Sequence, residues 1–172
     1  QPMINDKKKS FRTKLLSFLL IYFAVMPTFG QVVLSYSNYL KASSDSHLIS
    51  LVTEIKPSIY MKDNADIRLS SNTAAIVVNT DIASIPMLYA DKTDYNKVEL
   101  LKIRINSDTD EAVKLDLSRL TAFSALKYVL YVYQFNYCGD NKDTCLQATT
   151  ESKVYTPADT MVKILYLLSI PE

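Results

Sequence analysis

The chain has 172 residues, 48% of them hydrophobic, which is enough for one domain with a substantial core. The formal net charge is +1 for the whole chain and −3 for residues 31–172, which hold 14 basic and 17 acidic residues, so bulk electrostatic attraction to nucleic acid is excluded. Residues 31–172 contain one glycine, which excludes the glycine-rich loops that cradle phosphates or dinucleotides, and we expect no cofactor.

Residues 1–30 have the pattern of a secretory signal peptide. They hold five of the chain's 19 basic residues and one of its 18 acidic residues, and the basic residues precede the uncharged apolar run Leu15–Met26. We predict cleavage between Gly30 and Gln31, an exported domain over residues 31–172, and no transmembrane span in the mature chain. An uncleaved membrane anchor is the alternative, although this run is shorter than the ~20 residues that span a bilayer.

The first part of the predicted domain shows both extended and helical patterns. Residues 31–39 mix apolar and polar side chains, which indicates a first strand or an extended lead-in. A helix follows, capped by Asp45 or Ser46 and ending before Pro57. Its apolar face consists of residues at helical spacing: Leu48, Leu51, Val52 and Ile55. Two short β-like pieces flank the polar turn that comes next: Ile59–Met61 and Ile67–Leu69.

Three apolar runs rich in β-branched and aromatic residues predict the central strands, at about residues 74–79, 99–105 and 126–137. The third run is apolar on both faces after Lys127, so we expect it to be covered on both sides or to present an aromatic surface. Met161–Ile170 predicts a closing strand after a polar linker over residues 147–157. The predicted fold class is a small single α/β domain in which the three strands are adjacent, and an α+β domain is the alternative.

Apolar residues recur every 25 residues in this part of the chain, as from Ile76 to Leu101 and from Leu101 to Leu126. The recurring positions form three sets in which eight of nine residues are apolar and Thr73 is the exception: Thr73, Ile76 and Val78; Val98, Leu101 and Ile103; Phe123, Leu126 and Tyr128. Asn106 stands where the pattern L-x-x-L-x-L-x-x-N places its asparagine. Residues 73–135 therefore resemble units of a leucine-rich repeat, and the resemblance implies strands side by side at a constant interval. An ordinary small α/β or α+β domain explains the same runs without a repeat.

The chain has two cysteines, Cys138 and Cys145, and both follow the predicted cleavage site. In an oxidising compartment an isolated, closely spaced pair is typical of a disulfide. The bond closes a loop of eight residues, which stabilises a fold by up to about 2.5 kcal/mol in the chain-entropy model. A redox-active pair is the alternative, although the spacing is not Cys-x-x-Cys.

The sequence shows few of the motifs that mark catalytic sites. The single histidine, His47, lies on a serine-rich edge where a surface or capping residue is expected, and no Gly-x-Ser-x-Gly elbow provides a serine nucleophile. One histidine and a bridged cysteine pair do not supply a zinc site. Acidic residues follow the strands at Asp81, within residues 108–111, and at Asp140 and Asp143, but their spacing is not that of a calcium loop, so we expect solvated turns. We therefore predict no metal and no enzymatic activity.

Basic and aromatic residues are predicted to share the outer face of the central strands. With the constant spacing of the repeat, Lys102 and Lys127 take equivalent positions. The predicted binding surface is basic with neighbouring tyrosines: Lys102, Arg104, Lys127, Tyr131, Tyr133 and Lys163. Tyrosine and arginine contribute strongly at protein interfaces. The alternative is a solvated strand face beside an aromatic stripe that the chain's own helices cover.

The predicted function is that of a non-enzymatic binding module that is secreted, periplasmic or at the cell surface. The basic and aromatic surface is expected to contact another protein of the cell envelope or an anionic envelope glycan, and nucleic acid is not expected as a partner. One alternative is a structural subunit of an outer-membrane assembly, which predicts a large bare apolar face. Another is a small hydrolase with an acidic site, which predicts two carboxylates within ~5–10 Å in a cleft.

Overall fold

A computed structural model shows a small α/β domain built on a seven-stranded sheet. The structure describes residues 32–64, 66–70, 72–90, 93–107, 113–136, 138–139 and 142–170. The predicted signal peptide over residues 1–30 and the acidic turn within residues 108–111 lie outside the described residues, as does Asp140. None of the helices in the described ranges has the length and apolar character that a membrane span requires.

Three helices and nine strands are present in the described part of the chain. The helices are α1 (Tyr36–Ser43), α2 (Ser46–Thr53) and α3 (Lys142–Ser152). The strands are β1 (Leu34–Ser35), β2 (Ser58–Lys62), β3 (Asp66–Leu69), β4 (Val77–Asp81), β5 (Leu100–Ile105), β6 (Leu115–Asp116), β7 (Tyr128–Tyr133), β8 (Val154–Tyr155) and β9 (Lys163–Leu168). Short 3₁₀ turns cover Ile85–Tyr89, Thr93–Tyr95 and Leu117–Arg119.

The main sheet has the strand order β1-β9-β7-β5-β4-β2-β3, and β6 pairs with β8 in a separate parallel ribbon. Six strands of the main sheet are parallel, and the edge strand β3 runs antiparallel to β2. The chain starts at one edge with β1, passes to β2 near the other edge, and then returns strand by strand to β9. From β2 to β9, each parallel strand is added on the same side of the preceding one, so right-handed crossovers place all of these connections on one face of the sheet. The connection from β1 to β2 runs in the opposite direction, and its helices α1 and α2 therefore lie on the other face.

The three predicted central strands are confirmed as neighbours. β4, β5 and β7 lie side by side, and the partners of Leu101 are Val78 on β4 and Val129 on β7. A constant spacing would make Ile76 and Leu126 the partners of Leu101, so a constant spacing does not describe the sheet. The connections differ because one contains 3₁₀ turns and the other contains β6 as well.

Each face of the main sheet has its own hydrophobic core. The larger core lies under the returning connections and includes buried residues of the central strands: Val78, Leu101, Ile103, Val129 and Tyr131. The smaller core lies under α1 and α2 and includes Tyr39, Leu48, Leu51, Leu100, Leu130 and Leu165. β7 contributes to both cores, which explains why its sequence is apolar on both faces and confirms that it is covered on both sides.

Capping residues determine where the first two helices begin. The Ser35 hydroxyl accepts a hydrogen bond from the Asn38 N–H at 3.2 Å at the start of α1, and the Asp45 carboxylate accepts one from the Leu48 N–H at 3.1 Å at the start of α2. The predicted helix after Asp45 is confirmed, but it ends at Thr53, which leaves Ile55 fully exposed. The predicted extended segment up to residue 39 is wrong beyond Ser35, because this serine starts α1.

The predicted polar linker over residues 147–157 is also wrong, because residues up to Ser152 belong to α3. This helix gives little apolar periodicity in the sequence, since Leu146 and Thr150 are its buried residues among the side chains described. The predicted disulfide is confirmed: Cys138 and Cys145 are bonded, with a Cα–Cα distance of 5.8 Å. The bond ties the first part of α3 to the segment that follows β7.

Candidate functional site

The structure separates the six residues of the predicted binding surface. Tyr131 and Tyr133 are fully buried in the larger core, where the Tyr131 hydroxyl donates to the Lys153 carbonyl oxygen at 3.3 Å and the Tyr133 hydroxyl bonds to the Thr150 hydroxyl at 2.9 Å. The chain's own connection between β7 and β9 therefore covers this aromatic stripe, as in the alternative interpretation. The prediction that these two tyrosines lie exposed beside the basic residues is wrong.

The register of the sheet explains this correction. Lys102 lies opposite Leu130 and not opposite Lys127, while Tyr131 lies opposite Ile103. The observed partner of Lys102, Leu130, lies three residues after the predicted partner, Lys127. A register shift by an odd number of residues moves every side chain of a strand to the other face of the sheet. The two groups therefore face opposite sides: Lys102 and Arg104 on the side of α2, and Tyr131 and Tyr133 on the other.

Lys102 lies in a row that runs across the sheet: Tyr60, Asn79, Lys102, Leu130 and Leu165. Its Nζ donates a hydrogen bond of 3.0 Å to the carbonyl oxygen of Val52 in the last turn of α2. The carbonyl end of a helix favours a cation, so the position of the Lys102 ammonium group there is electrostatically favourable. Burial lowers the pKa of the Lys102 ammonium group. Lys102 is thus partly buried and already has a partner within the chain.

Arg104 follows Lys102 on the same face of the sheet, two residues closer to the carboxyl end of β5, and pairs with Asp81 on β4 and Val132 on β7. Its side chain is partly exposed, but its Nε is buried and has no hydrogen-bond acceptor in the described part of the chain. The neighbouring Asp81 carboxylate accepts hydrogen bonds from the backbone N–H groups of Asp63, at 2.8 Å, and Ser84, at 2.9 Å. Burial raises the pKa of Asp81, but hydrogen bonds and the Arg104 charge outweigh it and hold that pKa below its ordinary value.

The structure brings Lys127 and Lys163 together at the amino ends of β7 and β9, where the Lys163 N–H donates to the Lys127 carbonyl oxygen at 2.9 Å. Both side chains are exposed. The Lys127 Nζ is 2.6 Å from a carboxylate oxygen of Glu99, and the Lys163 Nζ lies 4.9 Å from the centroid of the Tyr39 ring. Glu99 and Asp45 balance the two positive charges, so this edge of the sheet is not strongly basic.

Glu99 also contacts the single histidine of the chain, since the His47 Nε2 lies 2.7 Å from its carboxylate. The hydrogen bond from Lys127 lowers the pKa of Glu99 more than burial raises it, and His47 lowers it further. His47 has half of its side chain exposed and is a surface residue, as predicted. Within the described ranges, no group of three or more His, Cys, Asp or Glu side chains could hold a metal ion.

A crevice that the sequence analysis missed lies outside the carboxyl ends of β1 and β9. It has a volume of about 190 Å³, and its polar lining consists of Ser35, Tyr36, Ser37, Asp143 and Tyr166. The Tyr166 hydroxyl donates to the Asp143 carbonyl oxygen at 3.0 Å, and the hydroxyl oxygens of Ser35 and Ser37 are 3.4 Å apart. Burial and the nearby Asp143 charge raise the pKa of Tyr166 against an opposing hydrogen bond with Ser35.

The sequence carried one signal for this crevice, the triplet Ser35-Tyr36-Ser37 with its three hydroxyl groups directly after the apolar run Val32-Val33-Leu34. This signal is weak, because β1 has two residues and α3, which supplies Asp143, resembles a polar linker in sequence.

Comparison with known proteins adds nothing to the geometry: no family model, no curated protein and no solved structure matches the chain.

Proposed function

We propose that the protein is a non-enzymatic exported binding domain that holds an acidic protein partner of the cell envelope through Arg104. The observation behind the proposal is the Nε atom of Arg104, which is buried and has no acceptor among the described residues. Buried polar atoms are nearly always hydrogen-bonded, so this Nε requires an acceptor, and another molecule can supply one because the Arg104 side chain as a whole is partly exposed. A carboxylate suits a guanidinium best, because its two oxygens accept two parallel N–H bonds.

The residues around Arg104 support a docking surface on this half of the sheet. Tyr60 is 45% exposed and lies in the adjoining row with Asn79 and Lys102. Asp81 is already held by two backbone N–H groups, so its carboxylate is engaged within the chain. An exposed tyrosine offers a large contact area near the arginine, and these two residue types are enriched at interfaces.

Export belongs to the proposal and has its own support. Residues 1–30 have the pattern of a signal peptide, and the disulfide between Cys138 and Cys145 is of the kind that persists in oxidising compartments. Sequencing the amino terminus of the protein isolated from its source tests this part directly. We expect the mature chain to begin at Gln31, in a fraction outside the cytoplasm. A chain that retains residues 1–30 in the cytoplasm contradicts export.

The binding proposal is tested by capturing partners from the envelope fraction on the immobilised protein. Wild type, Arg104→Ala and Arg104→Lys are compared after their thermal unfolding curves show that all three are folded. We expect one or a few acidic proteins on wild type and at least about tenfold less on Arg104→Ala, the loss expected for a buried, charge-assisted hydrogen bond. Arg104→Lys retains an intermediate amount, because lysine keeps the charge but not the paired N–H geometry.

Arg119→Ala is the matched control for this experiment. Its guanidinium is exposed and lies 3.9 Å from the centroid of the Tyr89 ring, so the variant removes the same charge from a site that has a partner within the chain. We expect Arg119→Ala to retain what wild type retains. Equal capture by Arg104→Ala and wild type contradicts the proposal. Displacement of bound material by polygalacturonate, but not by a glutamate-rich peptide, assigns Arg104 to an anionic glycan and contradicts a protein partner.

A further inference from the structure

The crevice outside β1 and β9 follows from the order of the strands. The connection after β1 carries α1 and α2 to one face of the sheet, whereas the connection after β7 carries α3 to the other. Where connections diverge beside neighbouring strands, an open α/β sheet leaves a crevice at the carboxyl ends, and such crevices are the usual ligand sites of these folds. Here it lies between the start of α1, at Tyr36, and the start of α3, near Asp143.

Backbone groups of β9 also border the crevice. The N–H groups of Lys163 and Ser169 donate to carbonyl oxygens of Lys127 and Tyr133, so odd-numbered residues of β9 bond to β7. Even-numbered residues direct their backbone groups to the side of β1. β1 ends with Ser35 opposite Tyr166, and the chain then turns into α1. Leu168, the next even-numbered residue, therefore presents its N–H and C=O groups toward the crevice.

The charges around the crevice favour a neutral ligand. The amino end of α1 carries a partial positive charge, which disfavours a cation. The carboxylate of Asp143, in the first turn of α3, disfavours an anion. The described lining holds no lysine, arginine or histidine to reverse this. The polar part of the lining is a set of hydroxyl groups together with a carboxylate that accepts hydrogen bonds from hydroxyl donors, and the apolar part is three leucines: Ser35, Ser37, Tyr166 and Asp143; Leu146, Leu167 and Leu168.

We propose that this crevice binds a single neutral sugar ring. The serine hydroxyls, the Asp143 carboxylate and the backbone of Leu168 match the alternating donors and acceptors of ring hydroxyls, and the leucines of the lining, Leu146, Leu167 and Leu168, supply apolar contacts. The volume of about 190 Å³ is below the ~300 Å³ at which pockets for drug-sized ligands begin, so it suits one ring and not a longer chain. The site is separate from Arg104 and does not depend on the proposed protein partner.

The test is a titration of the isotope-labelled protein, with its disulfide intact, followed through backbone amide resonances. Glucose, galactose and N-acetylglucosamine serve as neutral probes, and glucuronate and glucosamine as charged ones. We expect at least one neutral sugar to shift the amides of residues 35–37, 143 and 167–168 in a saturable way, with a Kd of about 1 mM. Glucuronate and glucosamine shift them less. Maltotriose distinguishes a free monosaccharide from the end of a glycan. Affinity for maltotriose equal to that for glucose indicates that the crevice accepts the terminal ring of a longer chain.

Asp143→Asn tests the proposed carboxylate, with Asp159→Asn as its control. Both aspartates are exposed, and Asp159 does not line the crevice, so neither change disturbs the core. We expect Asp143→Asn to weaken sugar binding about tenfold and Asp159→Asn to leave it unchanged. Arg104→Ala also leaves it unchanged, so loss of the protein partner and loss of the sugar are separate results. The proposal is overturned if no neutral sugar shifts these amides up to about 50 mM, or if Asp143→Asn binds as wild type does.

Discussion

The carboxylate of Asp45 accepts a hydrogen bond from the hydroxyl of Tyr128 at 2.7 Å, across 83 residues of the chain. The same carboxylate accepts one from the Tyr39 hydroxyl at 2.9 Å and one from the Leu48 N–H at 3.1 Å. One side chain thus caps α2, holds the buried tyrosine of α1 and anchors both helices to the first residue of β7. The Lys163 Nζ lies 5.8 Å from the centroid of the Tyr128 ring and completes this cluster.

Replacing Asp45 with alanine is expected to lower the free energy of unfolding by about 2–3 kcal/mol, because it removes a helix cap and two charge-assisted hydrogen bonds at a partly exposed site. Asp45→Asn keeps the cap and is expected to cost about half as much. Urea unfolding measures both changes. Asp116→Ala is the matched control, because Asp116 caps an exposed 3₁₀ turn through Ser118. Equal losses at Asp45 and Asp116 contradict the anchoring role.

The stability of the protein is expected to fall in acid for the same reason. Burial raises the pKa of Asp45, but the hydrogen bonds from Leu48, Tyr128 and Tyr39 outweigh it, so the pKa in the folded state is below the ordinary value of 3.8. A lowered carboxyl pKa stabilises the folded state fully above the unfolded value, and this contribution is lost as the pH falls through the folded value. Asp45→Asn should therefore lose less stability than wild type between about pH 5 and pH 3. Equal losses exclude Asp45 as a source of the acid sensitivity.

The sheet could be predicted where burial alone determines the sequence. β4, β5 and β7 bury most of their side chains, which favours sequences rich in apolar residues, and β7 is apolar throughout. β1 and α3 could not be predicted in the same way. β1 is a two-residue edge strand, and α3 buries Leu146 and Thr150 while its disulfide holds its first part in place. Tertiary contacts, absent from local sequence, define both elements.

The candidate sites were harder to predict than the strands, because they depend on register. The prediction that Lys102 and Arg104 share one face of β5 is confirmed, because alternation within a strand is a local property. Which side chains of β7 lie on the same face as Lys102 and Arg104 depends on the length of the connection between β5 and β7. That connection is longer than the constant spacing suggested and brings Leu130 opposite Lys102 in place of Lys127, which placed Tyr131 and Tyr133 in the core. The crevice combines residues from β1, α1, α3 and β9, and no single stretch reveals it.

Tyr95→Phe is expected to leave stability unchanged or to raise it by about 1–2 kcal/mol. Tyr95 is 1% exposed, its ring stacks on Phe123 at a centroid distance of 4.6 Å, and its hydroxyl has no hydrogen-bond partner among the described residues. Phenylalanine keeps the stacking and removes the unpaired hydroxyl. Tyr133→Phe is the control, because it breaks a buried hydrogen bond to Thr150 and is expected to cost about 1 kcal/mol. Urea unfolding decides, and a loss above about 1 kcal/mol in Tyr95→Phe reveals a partner for its hydroxyl.

The disulfide is expected to act on α3 and on the crevice more than on the central sheet. Replacing Cys138 and Cys145 together with serine removes the constraint on an eight-residue loop and is expected to lower the free energy of unfolding by up to about 2.5 kcal/mol. If the bond acted through the unfolded state alone, the protection of every globally exchanging amide would fall equally. Because Cys145 lies two residues after Asp143, we expect an additional local loss at the start of α3.

Amide hydrogen exchange separates these two contributions. We expect faster exchange at residues 143–147 of the double variant than its global destabilisation explains, while β5 amides such as Leu101 and Ile103 change by the global amount alone. Reduction of the wild-type disulfide should reproduce the pattern, which controls for the serine side chains. A uniform change across α3 and β5 shows that the bond constrains the unfolded chain without ordering α3. Asp143 then depends on the contact of Tyr166 with the Asp143 carbonyl oxygen for its position at the crevice.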